Sequence, residues 1–166
     1  FWLTPEAGRF LLDQIGSEIP GDDVAAIERG LTASIPDKTE REAVVRSRVG
    51  QGTFREELEK LWGGRCCVTG VSHPRLLRAS HIKPWRDSNN AERLDPYNGL
   101  LLQPSYDAAF DAGLITFEAS GVIVISPRFA DADLHSLAIS KAAHIDPKPP
   151  NLPYLEYHRS HVFQAE

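Results

Sequence analysis

Ala79-Ser80-His81-Ile82-Lys83-Pro84-Trp85, then Asp95-Pro96-Tyr97-Asn98-Gly99-Leu100, then Asp107-Ala108-Ala109-Phe110-Asp111: three short runs decide how this chain is read. Leu76 to Ile82 and Gly99 to Gln103 each read as a strand, with Lys83 to Pro96 as a polar loop between them. Pro104 suits the first position of a short helix that continues through Ser105 to Asp111 and stops at Gly113. A histidine at the end of one strand, an asparagine at the start of the next and carboxylates on the following helix fit a single site. Asp107 and Asp111 are four apart, so both lie on one helical face.

These residue types suit hydrolysis of a phosphodiester, which needs a base to activate water and a divalent cation to stabilise charge on the phosphate and the leaving oxygen. A neutral imidazole is such a base near neutral pH, because its unperturbed pKa is about 6.5. His81 is the candidate base. Its other ring nitrogen must be held by an acceptor, and either an asparagine, here Asn98, or a backbone carbonyl serves. Asp107 and Asp111 are hard oxygen ligands suited to Mg²⁺ or Mn²⁺, with Zn²⁺ or Ni²⁺ as further options. Taken singly, each residue has a plainer role: His81 as a hydrogen-bonded structural histidine, Asn98 as a turn residue before Gly99, Asp107 and Asp111 as caps or ion-pair partners. Their ordered spacing favours the site.

Outward from this unit, Phe54, Leu58, Leu61 and Trp62 recur at helical spacing up to Gly63-Gly64, and Cys66 to Thr69 reads as a short strand closed at Gly70. Leu114 to Glu118 and Val122 to Ser126 form a hairpin around residues 119–121, followed by a short helical piece after Pro127. A Pro-rich stretch from Asp146 to Pro153 leads to a terminal helix from Tyr154 to Phe163. Toward the N-terminus, residues 4–16 and a segment from Asp22 or Asp23 to near Pro36 carry helical stripes, and residues 37–47 a weaker one. The reading is α+β: an N-terminal helical extension over 1–45 and a domain over 46–166.

The chain has 166 residues, 42% hydrophobic and 25% charged, as an ordinary globular domain does. No apolar run approaches the roughly 18 residues needed to cross a bilayer. The start has no basic export signal, and the two cysteines, Cys66 and Cys67, are adjacent and unsuited to pair with each other, so a reducing cytoplasm is expected. There is no methionine, even at position 1, so the chain is expected to be a piece of a longer polypeptide carrying a further recognition or sensor domain. The net charge of −5 argues against a dedicated nucleic-acid scaffold but is compatible with a carboxylate metal site. Cations gather between Arg41 and Lys83. Of these, Arg48 and Arg55 are candidates to grip phosphate or to form internal ion pairs, and Lys83, two residues from His81, is a candidate for phosphate.

Beyond the three runs, Arg48-Val49-Gly50-Gln51, Phe54-Arg55, Arg65-Cys66-Cys67-Val68-Thr69-Gly70, Phe110 to Ile115 and Leu155 to Arg159 stand in order. With them, the region Arg48 to Phe163 resembles the HNH endonuclease domains of bacterial restriction and defence proteins. The resemblance implies a ββα-metal core with His81 as general base, Asn98 supporting the metal-site loop and Asp107, nine positions on, as a metal ligand. It also implies that DNA is the partner. Two positions depart from the pattern: Ser80 stands where an Asp or His is common, and Tyr106 where a His is common. The competing reading is a catalytically silent HNH-like module that binds nucleic acid or a protein. With so few candidate phosphate contacts, DNA binding is expected to be weak and non-specific, in the range of about 10⁻⁴–10⁻⁶ M.

Overall fold

A computed structural model describes residues 52–166 of the chain. Arg48 and the expected helices over 4–47 lie outside the described residues. The chain divides into two compact units, Phe1–Gly52 and Thr53–Glu166. The second is an α+β unit.

Residues 52–61 form helix α1, whose Phe54 and Leu58 are buried as their spacing predicts. Each such side chain, fully buried, contributes about 1.5–3 kcal/mol. The helix ends in turns at Gly63 and Gly64. The strand expected at 66–69 is instead a turn. Gly70 adopts a φ of 74°, open to glycine at little cost, and its N–H closes back onto the Cys66 carbonyl at 2.9 Å. Cys66 Sγ holds this turn in place by accepting N–H bonds from Thr69 and from Gln103. What remains of strand pairing is two backbone bonds, from Cys66 N–H to the Val71 carbonyl and from Cys67 N–H to the Leu101 carbonyl, each 2.8 Å.

β1 (Arg78–His81) and β2 (Gly99–Leu102) pair antiparallel, Arg78 opposite Leu102 and His81 opposite Gly99. β1 is shorter than the expected strand because Pro74–Leu76 forms a 3-10 turn before it. All of β2 is buried. Gly99 has no alternative: a Cβ there would lie 2.6 Å from Phe54 Cζ and 2.7 Å from a Leu58 methyl, so its bareness lets α1 lie against the sheet.

The segment between β1 and β2 is less loop-like than its polarity suggests. It contains a short helix, α2 (Asn90–Leu94), flanked by 3-10 turns at Trp85–Asp87 and Pro96–Asn98. After β2 come α3 (Pro104–Asp111), then a hairpin of β3 (Ile115–Phe117) and β4 (Ile123–Ile125), then α4 (Asp131–Ser136) and α5 (Leu152–His161). The hairpin and these helices stand where the sequence places them, with α5 starting two residues early. Helix α3 packs on β1, and α5 packs on β3. α5 also reaches back to the approach to β2. Asn151, just ahead of it, donates to the Tyr97 carbonyl at 2.6 Å, and Tyr154 donates to Asp95 at 2.7 Å.

Candidate active site

His81 ends β1 with its ring half-buried. One face stacks on Phe54 (centroids 4.0 Å apart, 8° between planes), and Trp85 meets it edge-on at 5.4 Å. Its Nε2 lies 3.0 Å from the carbonyl oxygen of Arg93. A carbonyl only accepts, so Nε2 carries the proton and Nδ1 the lone pair. Among the described residues Nδ1 has no partner and is not fully buried; the one buried side-chain N or O atom without a partner there is Ser80 Oγ. Burial lowers the His81 pKa below its ordinary 6.5. The Arg93 carbonyl opposes that shift, and the Arg93 charge adds to it. The neutral imidazole is therefore the form at hand at neutral pH.

Asn98 does not touch His81. Fully buried, its Oδ1 accepts the Lys83 N–H at 2.8 Å, and its Nδ2 donates to the Glu92 carbonyl at 3.0 Å, with Ser88 Oγ at 3.3 Å. The amide thus joins the two ends of the segment between the strands. The acceptor that holds His81 is the next carbonyl along, that of Arg93. Asn98 thus bonds one residue short of the carbonyl that holds the imidazole directly. Lys83 and Glu92 close the same loop a second time, with Nζ 2.8 Å from both carboxylate oxygens. Glu92 also accepts the Asn89 N–H while Asn89 caps α2, a reciprocal capping box.

Asp107 lies in the first turn of α3, half-buried. Burial raises its carboxyl above the ordinary range, against the opposing pull of the Ser80 hydroxyl and the Arg78 charge. Ser80 precedes His81 on β1; its Oγ is close enough to favour the Asp107 anion yet finds no partner of hydrogen-bonding geometry. Asp111, at the exposed end of α3, is one turn further on. Tyr106 points away from all of this. It is buried in the core, and its hydroxyl accepts the Ser140 N–H at 3.0 Å.

Residues 66–118 match the family model described as HNH endonuclease. This segment is HNH. It is narrower than the resemblance drawn from sequence, leaving out α1 and α5, but it contains Ser80, His81, Asn98, Asp107 and Asp111. A search of curated proteins finds no match to the chain.

HNH nucleases use divalent metal ions, and the residues here fit a lightly liganded one. No group of three or more His, Cys, Asp and Glu able to hold a metal occurs among the described residues. What the HNH segment does offer is a half-buried carboxylate short of compensating positive charge, beside a buried hydroxyl with no partner. A hard cation that keeps most of its waters and is held by one or two carboxylates suits that pair; a closed zinc site does not.

Of the expected phosphate contacts, Arg55 and Lys83 are engaged inside the molecule. Arg55 Nε pairs with Glu59 at 2.9 Å, while its two terminal nitrogens donate to the Leu77 and Pro74 carbonyls. Lys83 is committed to Glu92 and lies over the Tyr157 ring. Sequence reading missed Arg93, Glu92 and Ser88, although Asn89-x-x-Glu92 spells a capping box and could have revealed α2.

Proposed function

We propose that the chain is a metal-dependent endonuclease that hydrolyses DNA phosphodiester bonds, as the cleavage module of a restriction or anti-phage defence protein. One observation carries the reading: among the described residues the His81 Nδ1 lone pair is unengaged and not fully buried, while Nε2–H is fixed on a backbone carbonyl. A water placed against Nδ1 gives up its proton there as its oxygen attacks phosphorus. The resulting imidazolium keeps its Nε2–H on Arg93, so the ring need not turn. Phe54 and Trp85 restrict the ring between them, and Asn98 keeps the Arg93 carbonyl in place through Glu92. Asp107, with Ser80 beside it, would hold Mg²⁺ or Mn²⁺, which supplies charge neutralisation at the phosphate and the departing oxygen. DNA as the substrate follows from the HNH match.

The small donor set favours the rival, a silent module that binds without cutting. Incubation with supercoiled plasmid separates them. Under the nuclease reading, nicked or linear product forms with Mg²⁺ or Mn²⁺, and chelation abolishes it. Asp107→Ala weakens metal binding by calorimetry more than Asp111→Ala does. DNA binding with no cutting in either metal would leave the silent module standing.

A further inference from the structure

The cations nearest the candidate site fall into two groups. Arg55 and Lys83 each face a carboxylate at 2.9 Å or less. Arg78 and Arg93 form no ion pair among the described residues, although the Arg78 charge acts on the Asp107 carboxylate and opposes its upward shift. Arg78 donates weakly to the Arg75 and Leu77 carbonyls, at 3.4 and 3.3 Å, and its side chain is exposed. Arg93 donates from Nε to the Trp85 carbonyl at 3.1 Å and from Nη1 to Asn90 at 3.2 Å. Those neutral oxygens fix each guanidinium without cancelling its charge.

Their placement follows the chemistry on both sides. Arg93 lies over the Trp85 ring at 4.9 Å, and Trp85 in turn meets the His81 ring. The cation is therefore held one ring away from the base. Arg78 is two residues before Ser80 on β1, so strand alternation puts both on the face that α3 covers, where Asp107 stands. Each arginine lies beside one half of the proposed machinery, and guanidinium groups suit phosphate oxygens.

We propose that Arg78 and Arg93 grip the phosphates flanking the scissile bond, in place of Arg55 and Lys83. The pair rests on the nuclease reading. Arg93 then has two separate roles, because its backbone carbonyl holds His81 while its side chain faces substrate. A side-chain substitution removes the grip and leaves the carbonyl's hold on His81.

The test is duplex-DNA binding by fluorescence anisotropy in chelator, where nothing is cut, as a function of salt. Each phosphate contact contributes about 0.9 to the slope of log affinity against log salt. The double variant Arg78→Gln/Arg93→Gln is expected to lose roughly 2 from the wild-type slope, and Arg55→Gln to keep it. Arg93→Lys, which retains charge, keeps that residue's share and guards against a loop that merely misfolds. A double variant with the wild-type slope, or an Arg55→Gln slope reduced as much as the pair's, overturns the assignment even if plasmid is still cut. No duplex binding by a wild type that cuts plasmid overturns the pair alone, whereas neither binding nor cutting overturns the nuclease reading with it.

Discussion

His81 and His158 sit in nearly the same surroundings, and the one difference between them separates a candidate base from a structural post. Each ring stacks on a phenylalanine: His81 on Phe54 at 4.0 Å, His158 on Phe110 at 3.8 Å, both within 9° of parallel. Each brings Nε2 within about 3 Å of a backbone carbonyl, that of Arg93 at 3.0 Å or Phe110 at 3.1 Å, so both hold the same tautomer. At Nδ1 they part. His158 Nδ1 accepts the Thr116 hydroxyl at 2.9 Å and is buried with it, whereas His81 Nδ1 has no partner among the described residues and is not fully buried. A stacked, carbonyl-held imidazole is therefore not in itself an active-site feature. The open lone pair is what makes one.

The largest break in the parallel should come from His81→Ala. Plasmid cleavage is expected to fall about 10²- to 10⁴-fold, the usual worth of a general base, with thermal stability little changed. A folded variant cutting at the wild-type rate would show that the open lone pair is idle.

Acid should act on the other histidine. Burial lowers the His158 pKa to about 4 from an ordinary 6.5, with the Phe110 carbonyl opposing and Arg159 assisting. The folded value lies below the unfolded one, so the neutral ring's full contribution is present above pH 6.5. It is lost as pH falls toward 4, to an extent on the order of 3 kcal/mol. Urea unfolding across that window should show wild type losing stability more steeply than His158→Gln; parallel curves would mean that the ring is not held neutral.

Asn98→Ala tests the indirect aim of His81. It strands the Lys83 N–H and the Glu92 carbonyl in a buried position, a cost of about 2 kcal/mol by denaturation. It should also slow cutting, and replacement by Gln should not restore the rate, because the longer amide misplaces both bonds. Wild-type cleavage by a stable Asn98→Ala protein would remove Asn98 from the aiming of His81. The smallest effect belongs to Thr116→Val, which removes the hydroxyl from His158 Nδ1 and should cost about 1 kcal/mol while leaving cleavage untouched. Any loss of activity there would blur the division between the two rings.

Much of this arrangement could be read from the chain. Phe54 and Leu58 recur at helical spacing, Pro104 and Gly113 frame α3, and residues 119–121 mark the hairpin, because periodicity and turn chemistry are local. The turn at Cys66 to Gly70 read as a strand because its short apolar run says nothing of Sγ accepting the amides of Thr69 and of the distant Gln103. Helix α2 escaped because Asn90-Ala91-Glu92-Arg93-Leu94 has no apolar stripe, even though its capping box was written in the sequence. His81, Asn98 and Asp107 could be named because their residue types announce chemistry. That Asn98 would bond to Lys83 and Glu92, and that Arg93 would supply the carbonyl, depends on how a long segment closes on itself, and no local pattern states it.

That closure also suggests how the molecule could be enlarged. Asn98 fastens Lys83 to Glu92, and both fasteners lie inward of the exposed pair Arg86 and Asp87. Extra residues spliced between those two would interrupt the 3-10 turn at Trp85–Asp87 but stay outside both fasteners, at an entropic cost that grows by about 0.6 kcal/mol for each doubling of loop length. The bond from Arg93 to His81 begins just past the fastened end, so it should not register the addition. Residues 86–87 are thus a graft point, where a reporter or DNA-reading peptide could be carried near His81 with its bond to the Arg93 carbonyl left in place, the turn that seats Trp85 being what the graft must rebuild.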